Sequence, residues 1–140
     1  MNYKDFKIMK DKDMLKLLSD SLEQGLAENI ISLCRKEPEH IYYISDLLVD
    51  ERARVRLGAM ILIEALFEEH NSYFYVILKE VWRLLDSKND IIRGDAAYAL
   101  SLMRFQDSIE VLKMHADDSN SNVREIIEES LEELEKDFSK

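Results

Sequence analysis

Three histidines and one cysteine are the side chains in this chain best suited to ligate a metal or to act as a nucleophile, and their spacing argues against both uses. His40, His70 and His115 are widely separated, and Cys34 stands alone near the end of a predicted helix. A small core residue is the simpler reading of that cysteine than an activated thiolate. Asp117-Asp118 sets two carboxylates side by side. Such a pair can hold a cation, but helix capping accounts for it more simply. A phosphate-cradling glycine loop, a nucleophile elbow, a paired-cysteine zinc motif and a His-Glu-x-x-His helix are all missing from the sequence. The expectation is a protein that is not an enzyme, with no catalytic residue, no resident cofactor and no metal.

The residue with regular spacing is arginine. Three segments align on it: "LLVDERARVRLGAMILIEAL", "LLDSKNDIIRGDAAYALSLM" and "HADDSNSNVREIIEESLEEL". Val55-Arg56, Ile92-Arg93 and Val123-Arg124 recur at intervals of 37 and 31 residues, and six residues before each arginine stands a turn or cap former, Asp50, Ser87 or Asp118. Periods of this length are the mark of stacked helical arrays. Val55, Ala59, Leu62, Ile63 and Leu66 form one helical stripe. Ile92, Ala96, Ala99, Leu100 and Met103 repeat it, as do Val123, Ile127, Leu131, Leu134 and Phe138. Each arginine segment therefore reads as the second helix of a pair. First helices are expected at 39–49, 72–86 and 107–116. "YFYVIL" at 73–78 has strand propensity, but Phe74, Ile77, Leu78, Val81, Leu84 and Leu85 continue at helical spacing, and the longer pattern wins. Residues 12–35 give one more helix pair, with Leu15, Leu18, Leu22, Leu26, Ile30 and Leu33 facing inward.

Composition limits the function classes. With 46% hydrophobic and 34% charged residues the chain of 140 residues has the make-up of one folded domain, and three glycines with one proline favour helices over hairpins. A formal net charge of −10 opposes binding to phosphate backbones, so nucleic acid is not the expected partner. No apolar run approaches the ~20 residues of a membrane span, so no membrane association is expected. The opening "MNYKDFKIMKDKDMLKLL" has no apolar core of a signal peptide. The lone cysteine fits a reducing, cytoplasmic setting.

The pattern Leu-Leu-x-Asp, a short polar turn, Val-Arg and Ala-x-x-Ala-Leu resembles the HEAT repeat in its short prokaryotic form, the type related to bilin-lyase repeats. The resemblance covers residues 39–137. It implies an all-α fold, a right-handed α-α superhelix built as a solenoid of antiparallel helix pairs. Residues 1–140 then form a single domain, with a degenerate pair at 1–38 and repeats at 39–71, 72–105 and 106–140. It also implies a hydrogen-bonded ladder across neighbouring repeats that places Asp50 with Arg56, Ser87 or Asp86 with Arg93, and Asp118 with Arg124. The second repeat departs from the pattern because serine holds the aspartate position. Tetratricopeptide and ankyrin repeats have similar periods, but their Trp-Gly-Tyr and Thr-Pro-Leu-His signatures are missing. HEAT-like metal hydroxylases use His-Glu dipeptides on paired repeats, whereas this chain has the reverse order, Glu39-His40 and Glu69-His70.

In such a solenoid the second helices line the concave face. Residues beside the core stripe would then face a partner: Leu57, Ile61 and Glu64 on the first arginine helix, Gly94, Tyr98 and Ser101 on the second, and Glu125, Glu129 and Glu132 on the third. This lane runs from apolar through aromatic to acidic. The last helix carries seven acids and one base, Lys136, between residues 125 and 137. A polar end cap explains part of that charge. Leu57 and Ile61 require a cover: the first helix pair, a second copy in a homo-oligomer, or a partner. The expected function is a non-enzymatic scaffold or adaptor that holds a protein or peptide with a basic end. The alternative is an accessory or catalytic subunit of the bilin-lyase or metal-hydroxylase type.

Overall fold

The structure, a computed structural model, describes residues 10–138. Residues 1–9 and 139–140 lie outside the described residues, and with them the opening half of the stretch compared with a signal peptide and the two ends of the outer repeats. All regular elements among the described residues are helical, and no strand occurs there. Helix α1 spans Lys12–Glu23, with the Asp11 carboxylate accepting from the Asp13 amide at 2.8 Å. It ends at Gly25, whose φ of 82° suits a residue without a Cβ. Helix α2 spans Ala27–Lys36. A 3₁₀ helix, Pro38–Tyr43, follows and leads into the one-turn α3, Ile44–Leu47. Helix α4 runs over Ala53–Arg83, and a second 3₁₀ turn, Leu84–Asp86, closes it. Helices α5 (Asp90–Leu102), α6 (Ser108–Met114) and α7 (Ser121–Phe138) complete the chain.

Two expected element boundaries are corrected. The first helix of the 39–71 repeat is a 3₁₀ helix plus one α-turn, because Pro38 starts it without a donor and the tight i→i+3 pattern persists to Tyr43. The second helix of that repeat and the first of the next are joined in α4. They are separated only by a bend at His70, where φ is −130° and ψ 30°. Neither glycine nor proline lies between Leu66 and Phe74 to end the helix. The strand-prone 73–78 segment is helical, with Phe74, Ile77 and Leu78 buried.

The same local unit precedes each arginine helix. At its start, the side chain six residues before the arginine accepts the amide hydrogen two residues on. Asp50 accepts from Arg52 (2.9 Å), Ser87 from Asn89 (3.1 Å) and Asp118 from Asn120 (2.9 Å). The backbone carbonyl of that same residue accepts from the arginine Nη1, at 2.8 Å for Arg56, 3.0 Å for Arg93 and 2.7 Å for Arg124. Asn89 and Asn120 then cap the helices, each accepting from two amides of the first turn. Serine serves in the second unit because this local bond needs only an oxygen acceptor.

For Arg56 and Arg93 the carboxylate contact crosses to the following unit, whereas the expected partners Asp50, Ser87 and Asp118 meet their arginines through backbone carbonyls. Arg56 Nε donates to Asp95 of α5 at 2.9 Å, and Arg93 grips Asp118 with Nε and Nη2 at 2.8 and 3.0 Å. The Asp50 carboxylate is held by Arg52, which also reaches Asp20 of α1 at 3.0 Å. Asp86 turns away from Arg93 and bonds His115. Helices α1, α4, α5 and α7 pack successively against one another, and each contact in that series carries one of these ion pairs.

Packing follows the predicted stripes. Val55, Ala59, Ile63 and Leu66 of α4, Ala96, Ala99, Leu100 and Met103 of α5, and Val123, Ile127 and Leu134 of α7 are buried. Leu131 is only partly covered. Leu26, expected inside, is exposed because it ends the turn between α1 and α2, and Phe138 is exposed at the end of α7. A Cβ placed on Gly58 of α4 would lie 2.9 Å from Leu22 Cδ2 and 3.1 Å from Leu22 Cβ, so this glycine permits the α1–α4 contact. Glycine to alanine in a helix ordinarily gains roughly 0.5–1 kcal/mol, but overpacking costs roughly 1–3 kcal/mol. Gly58→Ala should therefore destabilise by roughly 1 kcal/mol, read from its urea midpoint. Gly94→Ala is the control. Its Cβ would meet the free end of Ile126, Cδ1 at 3.0 Å, and otherwise only Val123 Cγ2 at an ordinary 3.9 Å, so its stability should hold or rise.

Candidate binding surface

The nine residues expected to face a partner are distributed over α4, α5 and α7, and the structure brings four of them together. Tyr98 and Ser101 of α5 and Glu129 and Glu132 of α7 line one groove of about 240 Å³, with Ile126, Ser130 and Glu133. Leu57, Ile61 and Glu64 lie on α4 and Glu125 lies nearer the start of α7, outside this groove. The α5–α7 packing that forms the groove has its own causes. Arg93 and Asp118 tie the starts of the two helices together, and Ser130 donates to the Ala97 carbonyl at 2.9 Å farther along. Gly94 opens a second depression of about 210 Å³ beside Asp90, Ile91, Asn122, Val123 and Ile126.

Exposure shows which of these residues can touch a partner. Leu57 is 62% exposed, Ile61 42% and Tyr98 47%. Thus α1, though packed on α4 at Gly58, leaves both aliphatic side chains uncovered among the described residues. Ser101 is buried, its hydroxyl donating to the Tyr98 carbonyl at 2.6 Å. It shapes the groove wall. Glu64, Glu125, Glu129 and Glu132 are exposed. On α7, Glu133 pairs with Lys136 and Asp137 with Arg104. Glu125, Glu129 and Glu132 have no ion-pair partner among the described residues. Sequence counting missed Ile126, Ser130 and Glu133, because it took one lane per helix, whereas a groove is lined by facing edges of two.

The other candidate side chains have structural settings. Cys34 is buried, and that burial pushes its thiol up to about 11, which leaves a protonated core residue at neutral pH. Glu39-His40 and Glu69-His70 do not converge. Glu37, Glu39 and His40 gather their ligand atoms within 4.8 Å. His40 Nδ1 lies 2.9 Å from the Glu37 carbonyl. His70 sits at the bend of α4, 3.8 Å from Glu69. Of the cluster Arg52, Arg54 and Arg56, the first and last are bound to carboxylates. The Asp118 carboxyl lies below its ordinary value because Arg93 hydrogen-bonds it, and Arg52 does the same for Asp50. No helix among the described residues is long and apolar enough to cross a membrane.

No protein-family model matches this chain, and neither does any curated protein.

The setting of His115 has a titration consequence. Nδ1 lies 2.8 Å from the Val111 carbonyl and Nε2 2.9 Å from the Asp86 carboxylate, so both nitrogens face acceptors and both bonds form only in the imidazolium. Burial lowers its pKa, but the Val111 carbonyl and Asp86, with the nearby Asp118, outweigh it and leave the value raised. A raised folded-state pKa adds stability that is complete below the ordinary imidazole range and fades as pH rises through the folded value. Wild-type stability relative to His115→Asn should therefore fall between mildly acidic and mildly alkaline pH, measured by urea denaturation across that window. A difference independent of pH would refute the doubly donating imidazolium.

Proposed function

We propose that this chain is a HEAT-like right-handed α-α superhelix that acts as a cytoplasmic, non-enzymatic adaptor, binding a protein or peptide along the face made by α4, α5 and α7. The observation that carries this reading is the exposure of Leu57, Ile61 and Tyr98 on helices packed in series, next to unpaired carboxylates on α7. Isolated exposed apolar residues are ordinary, but an aliphatic pair and an aromatic ring on adjoining helices make a surface that water contacts at a cost. Apolar and aromatic anchors supply binding energy, while rim carboxylates steer and orient. The three repeated arginine units support the solenoid reading, since each arginine closes the turn before its own helix by the same bond to a carbonyl, and Arg56 and Arg93 also reach a carboxylate of the following unit. A partner segment with apolar side chains at one end and basic ones at the other matches this face.

The test is retention of polypeptides from the source cell on immobilised protein, identified by mass spectrometry and compared with Leu57→Asp/Ile61→Asp and Tyr98→Ala. Because all three side chains are exposed, these variants should fold normally. Each should weaken binding of the retained partner by about tenfold to a hundredfold, roughly 1–3 kcal/mol. Glu129→Lys/Glu132→Lys should slow association and invert its salt dependence. Unchanged binding in all three variants would place the site elsewhere.

A further inference from the structure

Glu129, Glu132 and Glu133 do not simply shield the exposed end of the array. They line the groove shared with α5, whereas an end cap needs its charge on the side of α7 turned away from its neighbour. Glu133 is paired with Lys136, but Glu129 and Glu132, at i and i+3 on the same helix, repel one another, a repulsion that a bound cation relieves. The rest of the groove tells which cation.

Ser101 donates its proton to the Tyr98 carbonyl and Ser130 to that of Ala97, so both serines present only lone pairs to a ligand. Carboxylates accept and do not donate. Apart from the Tyr98 hydroxyl, the polar part of the lining is thus acceptor only, and the partly covered Ile126 and the half-exposed Tyr98 ring supply apolar surface beside it. At about 240 Å³ it falls below the ~300–1,000 Å³ of typical small-molecule sites and suits one long side chain. Guanidinium has five donors and no acceptor, stacks flat on aromatic faces and forks onto carboxylates. An ammonium matches the charge but neither the plane nor the fork.

We propose that the α5–α7 groove receives one arginine side chain of the bound segment, its stem on Ile126 and Tyr98 and its guanidinium held by Glu129 and Glu132. This rests on the reading that the α4–α5–α7 face holds a polypeptide, and it adds the side chain that face selects.

The experiment is an NMR titration of the ¹⁵N-labelled full chain with the peptide acetyl-Ala-Leu-Arg-Leu-Ala-amide and with its citrulline counterpart, which keeps the shape and loses the charge. The arginine peptide should shift the amide signals of Tyr98, Ser101, Ile126 and Glu129 and bind about tenfold tighter than the citrulline peptide. In Glu129→Gln/Glu132→Gln, whose side chains are exposed and whose fold the same spectra verify, that preference should vanish. Equal affinity for the two peptides, or no shift on α5 and α7, overturns the arginine subsite. Shifts confined to the neighbourhood of Leu57 and Ile61, without preference for arginine, overturn the subsite and leave the polypeptide-binding face standing. The retention comparison with Leu57→Asp/Ile61→Asp reads that face independently.

Discussion

A guanidinium group held between a turn carbonyl and a carboxylate of the following unit is the contact on which the packing of α4, α5 and α7 depends. Arg56 and Arg93 each close the turn that precedes their own helix and then reach outward, to Asp95 and Asp118. A single side chain thereby sets the start of one helix and its position against the next. Arginine suits this because its donors point in several fixed directions from one plane, and its aliphatic stem lies on the core. A lysine ammonium would satisfy one of the two demands. Arg124 closes its turn in the same way, and among the described residues no further helix follows for it to grip.

The amino-terminal helix joins the series by different means. It contributes no arginine of the repeating kind. The link is made by Arg52, bridging Asp50 and Asp20, and by the missing side chain at Gly58, which lets Leu22 approach. The result extends the face formed by the arginine helices, yet it stops short of Leu57 and Ile61. Their exposure puts apolar surface on the same helices that the guanidinium contacts hold in place. The two sides of these helices thus differ: inward stripes and turn arginines hold the fold, while the outward apolar residues do not contribute to it.

Helix content, the core stripes and the positions of the three arginines could all be read from local periodicity, since each involves residues within a few turns of one another. The sequence pattern puts the cap formers two residues too early, at Ser87 and Asp118, whereas Asn89 and Asn120 in fact cap the helices. What the periodicity could not show were pairings across dozens of residues, such as Arg52 with Asp20 or Arg56 with Asp95, which no spacing rule connects. The serine at position 87 looked like a defect because the aspartate was assigned the wrong partner. Once its side chain is seen to accept the amide hydrogen two residues on, serine is an adequate substitute. Tyr98, Glu129 and Glu132 were identified individually, but the groove that unites them depends on how α5 and α7 face each other. Leu26 shows the opposite error: an apolar residue at the right spacing that a tight turn lifts out of the core.

The unbroken course of α4 through the bend at His70 bears on how such a chain can grow or shrink. Counting by sequence puts a module boundary near residue 71, but a duplication or deletion cut there would sever a helix whose two halves are both buried in the core. The turns at Ser87–Asn89 and Asp118–Asn120 are the natural seams, because each rebuilds the same closed set of bonds from its own few residues. A unit excised from one such turn to the next carries a complete guanidinium clasp with it. The bonding therefore marks off a unit that runs from one arginine turn to the next, offset by about half a helix pair from the one that the hydrophobic pattern suggests.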